Sequence, residues 1–223
     1  MIYKLRIAYI IAYFSLLFLY FFAETGNNFR RRAFIKITLA SLYLIYACAA
    51  FLLYSPLHSI RLILLFGLIF FFAGDVALLW KFSLGGVFFG TGNLIMLIYE
   101  LILFTRYGVS PLALIPAFLV FAAFFGTMML LFKLKRIDFR GLAVYPPYLA
   151  SVTLHGSLGI VLAASVTAPA VRLVGFGLFL MMVADYFLTM HEYKYQKKWI
   201  ARTNTGCYFT GVFLISISMI FPL

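Results

Sequence analysis

Apolar residues run along this chain in continuous blocks separated by short polar intervals. The blocks fall at roughly 5–23, 33–54, 60–80, 84–105, 111–132, 141–165, 170–190 and 204–222. As helices rising ~1.5 Å per residue, blocks of this length cross a hydrocarbon core ~30 Å thick. They do not alternate apolar with polar, which excludes a membrane β-barrel. The pattern predicts an all-α membrane protein, a polytopic bundle of eight transmembrane helices. Pro56, Pro111 and Pro169 stand at turns or first helical positions. Every connection is short, so residues 1–223 read as a single integral membrane domain.

Composition agrees with the pattern. Hydrophobic residues make up 65% of the chain and mean hydropathy is +1.08, against ~45–50% apolar in a soluble domain. The net charge of +12 does not point to nucleic acid, because the cations lie in the intervals between apolar blocks. The first block reads as a retained anchor, since bulky Phe21 occupies the −3 position of any cut after Ala23. Cys48 and Cys207 form no ligand or redox motif and read as small packing residues.

Thirteen of the 18 Lys and Arg residues fall on one side of the eight-block arrangement, including Arg30–Arg32, Lys36, Lys81, Lys133, Lys135, Arg136, Arg140, Lys194, Lys197, Lys198 and Arg202. Lys4, Arg6, Arg61, Arg106 and Arg172 fall on the other. The positive-inside rule makes the first side cytoplasmic and puts both termini outside.

Two carboxylates lie within the apolar blocks. Asp75 is in the third and Asp185 in the seventh, of only six acidic residues in the chain. A charge at membrane depth costs several kcal/mol unless it is paired, solvated or protonated. Both lie about five residues from the cytoplasmic end, roughly 8 Å deep. By the same reckoning Asn93, Tyr148 and Tyr208 fall near that level, whereas His155 and Glu100 lie further out. Gly67-Leu68 precedes Asp75 as Gly177-Leu178 precedes Asp185, a spacing compatible with two parallel four-helix halves.

The polar positions also have plain structural readings. Gly86-x-x-x-Gly90 suits close helix packing, with one interhelical hydrogen bond from Asn93. Glu100 can snorkel or pair with Arg106, and His155 reads as a satisfied packing histidine. His58, His155 and His191 show no metal-binding spacing, so no metal and no cofactor are expected. Two acids in one pocket tend to share a proton, which supplies an acid and a base together. Lys81, Lys133, Arg140 or Lys194 are available to attract a phosphate near the headgroup level.

Gly74-Asp75 closing the third block, Gly86-x-x-Phe89-x-x-Gly92 opening the fourth, and Gly177-x-Phe179 leading to Ala184-Asp185 in the seventh carry a family signal. Over essentially the whole chain they resemble the YhhN-like lysoplasmalogenase family. The resemblance implies hydrolysis of the vinyl ether of a lysoplasmalogen to a fatty aldehyde and a glycerophospho-alcohol. It puts Asp75 and Asp185 where the family keeps its acids; Gly74 adjoins Asp75, and Asn93, Tyr148 and Tyr208, near their depth, are the supporting or substrate-binding candidates. One acid would protonate carbon and the other would stabilise the oxocarbenium ion and orient water. The chain departs from the family at Asn93, where His is usual, at Ala184, where Ser is usual, and at Thr210-Gly211, where Gln is usual.

The expected partners are a membrane lipid or lysophospholipid substrate and the bilayer itself, with no nucleic acid. The expected location is the plasma membrane, or the inner membrane in a bacterium. A proton-coupled transporter, a non-catalytic lipid-binding relative and an intramembrane aspartyl protease are the competing readings. A transporter predicts broken helices at the acids, and the protease reading suffers from Phe72 where its signature needs glycine.

Overall fold

The computed structural model describes residues 2–24, 26, 28–55, 59–134 and 145–223. Pro56, His58, Lys135, Arg136 and Arg140, and the side chains of Lys4 and Arg6, lie outside the described residues. Regular structure among the described residues is helical throughout. The elements are α1 (Ile2–Glu24), α2 (Phe29–Tyr54), α3 (Arg61–Ala77), α4 (Phe82–Arg106), α5 (Leu114–Lys133), α6 (Tyr145–Ser165), α7 (Pro169–Tyr193) and α8 (Lys198–Ser218), with a 3-10 turn at Pro111–Ala113 leading into α5.

Local chemistry sets the helix ends. The Asn28 side chain accepts a hydrogen bond from the Arg31 amide at 3.0 Å and caps α2. Pro169 opens α7, where its missing N–H costs nothing. Gly108 turns the chain between α4 and α5 at φ +57°, a conformation that favours glycine. One boundary departs from expectation: α8 starts at Lys198 rather than near residue 204. Lys198–Thr203 form a helical turn that leads into the apolar block, and hydropathy marks the apolar part of a helix rather than its end.

Helices α1, α2, α4, α5 with its preceding turn, α6 and α7 are each long and apolar enough to cross a membrane. The chain is therefore an integral membrane protein. Helix α3 has 17 residues, about 25 Å of rise, and α8 begins with a polar stretch. Large apolar side chains face outward along the spans, among them Phe18 at 60% and Leu52 at 75% exposure. Such surfaces would drive a soluble protein to aggregate, but in lipid they face their own solvent.

Helix α7 packs along α6 and α8, and α3 along α4. Helix α2 lies against α3 and α8, α1 against α2 and α8, and α5 against α6. The main core joins Tyr13, Leu39, Tyr43, Leu68, Phe71, Met96, Leu178 and Val212. A smaller cluster of Met128, Leu149, Val152, Met182 and Tyr186 joins α5, α6 and α7.

Small residues permit the closest contacts, as is usual between membrane helices. A Cβ on Gly177 would stand 2.7 Å from the Gly211 carbonyl, and one on Gly175 would run into the Gly159 carbonyl. Gly67 is crowded in the same way by Met96 of α4. Gly67 and Gly177 thus each admit the next helix in sequence. The expected Gly86-x-x-x-Gly90 contact is corrected: nothing lies within 4 Å of a Cβ on Gly86, and Gly90 meets only the Tyr148 ring at 3.8 Å. Their neighbours Gly85, against Leu78, and Gly92, against Phe71, make the tight approaches. The four-residue spacing does not reveal which side of α4 faces α3.

Candidate functional site

Asp75 is 2% exposed and lies near the end of α3. Its Oδ2 accepts hydrogen bonds from the Tyr208 hydroxyl at 2.8 Å and the Tyr43 hydroxyl at 3.2 Å. Lys36 Nζ lies 3.3 Å from its Oδ1. Three helices therefore converge on one carboxylate: α2 through Lys36 and Tyr43, α3 through Asp75 itself, and α8 through Tyr208. Lys36 and Tyr43 lie two helical turns apart, which puts them on one face of α2. The lysine charge and two hydroxyl donors offset the loss of hydration that a buried carboxylate suffers.

Gly74 has a local role beside this cluster. A Cβ there would come within 2.9 Å of the Phe89 ring, and Phe89 in turn meets Tyr208 edge-on at 5.7 Å between centroids. The glycine lets Phe89 fill the space behind the Asp75–Tyr208 contact.

Asp185 occupies a different setting on α7. Its Oδ2 accepts from the Tyr148 hydroxyl of α6 at 3.2 Å, and its own carbonyl accepts from Thr189 Oγ1 at 2.6 Å. It is half-buried, and among the described residues it has no ion-pair partner. The two acids thus belong to separate sets, one with a cation and one without. Consecutive residues of α4 join the sets: Phe89 touches the Asp75 side and Gly90 faces Tyr148. That adjacency brings both carboxylates toward one level of α4.

A cavity of about 290 Å³ opens where α1 and α7 end and α2 and α8 begin. Its walls include Tyr20, Glu24, Arg32, Lys36, His191, Lys198 and Asn204. Thr205 donates a hydrogen bond to Glu24 and ties α8 to α1 at this wall. Lys36 both lines the cavity and pairs with Asp75, so it connects the opening to the buried carboxylate.

Lys36 and Tyr43 were not among the expected site residues. Hydropathy counts Lys36 with the cytoplasmic charges and Tyr43 with interfacial aromatics. Their shared face on α2 is a signal in the sequence, but it says nothing about α3 being opposite. Three other expectations need correction among the described residues. Glu100 neither snorkels nor pairs with Arg106: it is 0% exposed and neither of its oxygens has a hydrogen-bond partner among them. His155 is 1% exposed with neither ring nitrogen partnered among them, and so is not a satisfied packing histidine there. Asn93 is 3% exposed and its Nδ2 makes no hydrogen bond to a described residue. Among the described residues, no three His, Cys, Asp or Glu side chains group as metal ligands.

The structure defines a polytopic helical membrane protein with two acid–tyrosine clusters, one of them joined through Lys36 to a cavity at the helix ends. The model of the YhhN family matches residues 31–219, and the chain belongs to that family. That match takes in both aspartates and every residue hydrogen-bonded to their carboxylates. Neither the curated proteins nor the solved structures provide a match to the chain.

Proposed function

We propose that the chain hydrolyses the vinyl ether of a lysoplasmalogen, with Asp75 and Asp185 as the reacting carboxyl groups. The observation that carries this reading is the asymmetry of the two acids: Asp75 is paired with Lys36, whereas Asp185 accepts from Tyr148 and has no ion-pair partner among the described residues. Membership of the YhhN family supports it.

The asymmetry suits the two jobs that the reaction demands. Asp185, without a cation, donates a proton to the β-carbon of the vinyl ether. Asp75, held as the carboxylate by Lys36, Tyr43 and Tyr208, faces the resulting oxocarbenium ion and orients water. Water adds to the cationic carbon, and its released proton restores the acid. The hemiacetal then collapses to the aldehyde and the free glycerol hydroxyl. One water is consumed, and the proton donated is recovered.

The lipid tail remains in the bilayer while its phosphate occupies the cavity beside Arg32, Lys36 and Lys198. All eight helices cross the membrane in this reading, with both termini on the non-cytoplasmic side. Helices α3 and α7 run unbroken through Asp75 and Asp185, which favours a hydrolase over a transporter with unwound helices at its site.

The test is aldehyde release by purified protein in lipid nanodiscs. Asp75→Asn and Asp185→Asn should each abolish release from a lysoplasmalogen while the protein remains folded. Full activity in both variants would overturn the proposal.

A further inference from the structure

Between helices α4 and α6 lies a row of buried polar groups to which the steps of the hydrolysis give no role. Among the described residues, Asn93 Nδ2, both nitrogens of His155 and both oxygens of Glu100 have no hydrogen-bond partner. These five atoms belong to three side chains exposed by 3%, 1% and 0%. Buried polar groups are nearly always satisfied, and several orphans in one place call for an explanation.

Two contacts fix the register of the helices. Gly90 of α4 faces the Tyr148 ring, and Glu100 Oε1 lies 3.1 Å from the position of a Cβ on Gly159 of α6. The helices are therefore parallel, and their facing rows advance together. From the Tyr148 level, Asn93 stands about 4.5 Å further along, His155 about 10 Å and Glu100 about 15 Å, at ~1.5 Å per residue. Each step is about 4.5–6 Å, the span of one water molecule bonded to both neighbours.

Among the described residues, the neighbouring groups on these faces make other contacts. Thr153 and Ser157 already donate to backbone carbonyls of α6. At Gly156 and Gly159, α7 presents Met182, Leu178 and a backbone carbonyl. A polar seam with partners spaced in this way meets the requirement for buried water, which needs several polar contacts.

We propose that Asn93, His155 and Glu100 bind an internal file of water molecules between α4 and α6 that ends at the Tyr148–Asp185 pair. The file hydrates Asp185 from the half of the bundle away from the basic cavity and gives it a route for proton exchange. This inference does not depend on the hydrolase reading.

Water-edited solid-state NMR of the full chain in bilayers tests it, with histidine ring nitrogens labelled. The chain has three histidines, so a His58→Gln, His191→Gln background leaves His155 as the sole signal. The expected result is rapid transfer of water magnetisation to the His155 ring. Glu100→Leu or Asn93→Leu should remove that transfer, and Glu100→Gln should retain it. A folded protein whose His155 receives no water magnetisation would overturn the proposal without a further variant. Transfer that persists in folded Glu100→Leu and Asn93→Leu would also overturn it, because the water would then reach His155 by another route.

Discussion

Lys36 Nζ lies 3.3 Å from Asp75 Oδ1 and joins α2 to α3 inside the apolar bundle. The side chains are 13% and 2% exposed, so the carboxylate has no bulk water to replace its partner. Lys36→Met retains the stem and removes the charge. It should cost about 3–5 kcal/mol by leaving a buried carboxylate unpaired, read as a lower thermal midpoint in detergent. Lys36→Met with Asp75→Asn should regain most of that loss, because neither member is then an unpaired charge. A double variant as unstable as the sum of the singles would show that the pair is not coupled.

The two tyrosines on Asp75 should differ in weight. Tyr208 bonds at 2.8 Å and Tyr43 at 3.2 Å. A hydrogen bond to a charged group contributes about 1.5–3 kcal/mol, so Tyr208→Phe should slow aldehyde release by roughly tenfold or more. Tyr43→Phe should slow it less. Initial rates at saturating lipid provide the comparison.

Tyr148 is the side-chain donor to the Asp185 carboxylate. Tyr148→Phe should lower kcat with little change in KM, since the hydroxyl contacts the acid rather than the headgroup cavity. A change confined to KM would place Tyr148 in substrate binding instead.

Glycines in α4, α7 and α8 should separate sharply under substitution. Gly211→Ala puts a methyl 2.6 Å from the Gly177 carbonyl, and such overpacking costs about 1–3 kcal/mol. Gly86→Ala meets nothing within 4 Å and should stabilise the helix by up to about 1 kcal/mol. Thermal unfolding of the two variants checks both signs.

Arg61 offers a test of stability apart from activity. It is 7% exposed and donates to the Tyr54 carbonyl, Ser55 Oγ and Met219 carbonyl at 3.4, 3.1 and 3.2 Å. It also donates to the Phe221 carbonyl. These contacts fasten the chain beyond α8 to the start of α3. Arg61→Met should lower the thermal midpoint while leaving the rate per folded molecule unchanged.

Six of the helices were legible because a membrane span must be long and apolar, and the blocks at 60–80 and 204–222 also fall on helices, α3 and α8. Tyr148 and Tyr208 were legible by depth alone: counting rise from the basic end put them at the level of the aspartates, and each hydrogen-bonds to one of them. Lys36 was not, because a lysine at the start of a span looks like one more cytoplasmic charge. Its role depends on α2 lying against α3, and the order of helices around a bundle leaves no mark in hydropathy. Glu100 and His155 were misread for a related reason. Position along a helix gives depth, but whether a side chain faces lipid or a neighbouring helix depends on packing.

Aldehyde release from a lysoplasmalogen, compared with the same lysolipid carrying a saturated ether, is the most direct measurement. Protonation of carbon requires the double bond, so the purified chain should release fatty aldehyde from the vinyl ether alone, and Asp75→Asn and Asp185→Asn should release none. Equal turnover of both lipids, or no aldehyde from folded wild-type protein, would contradict the assignment of the two aspartates to vinyl ether hydrolysis.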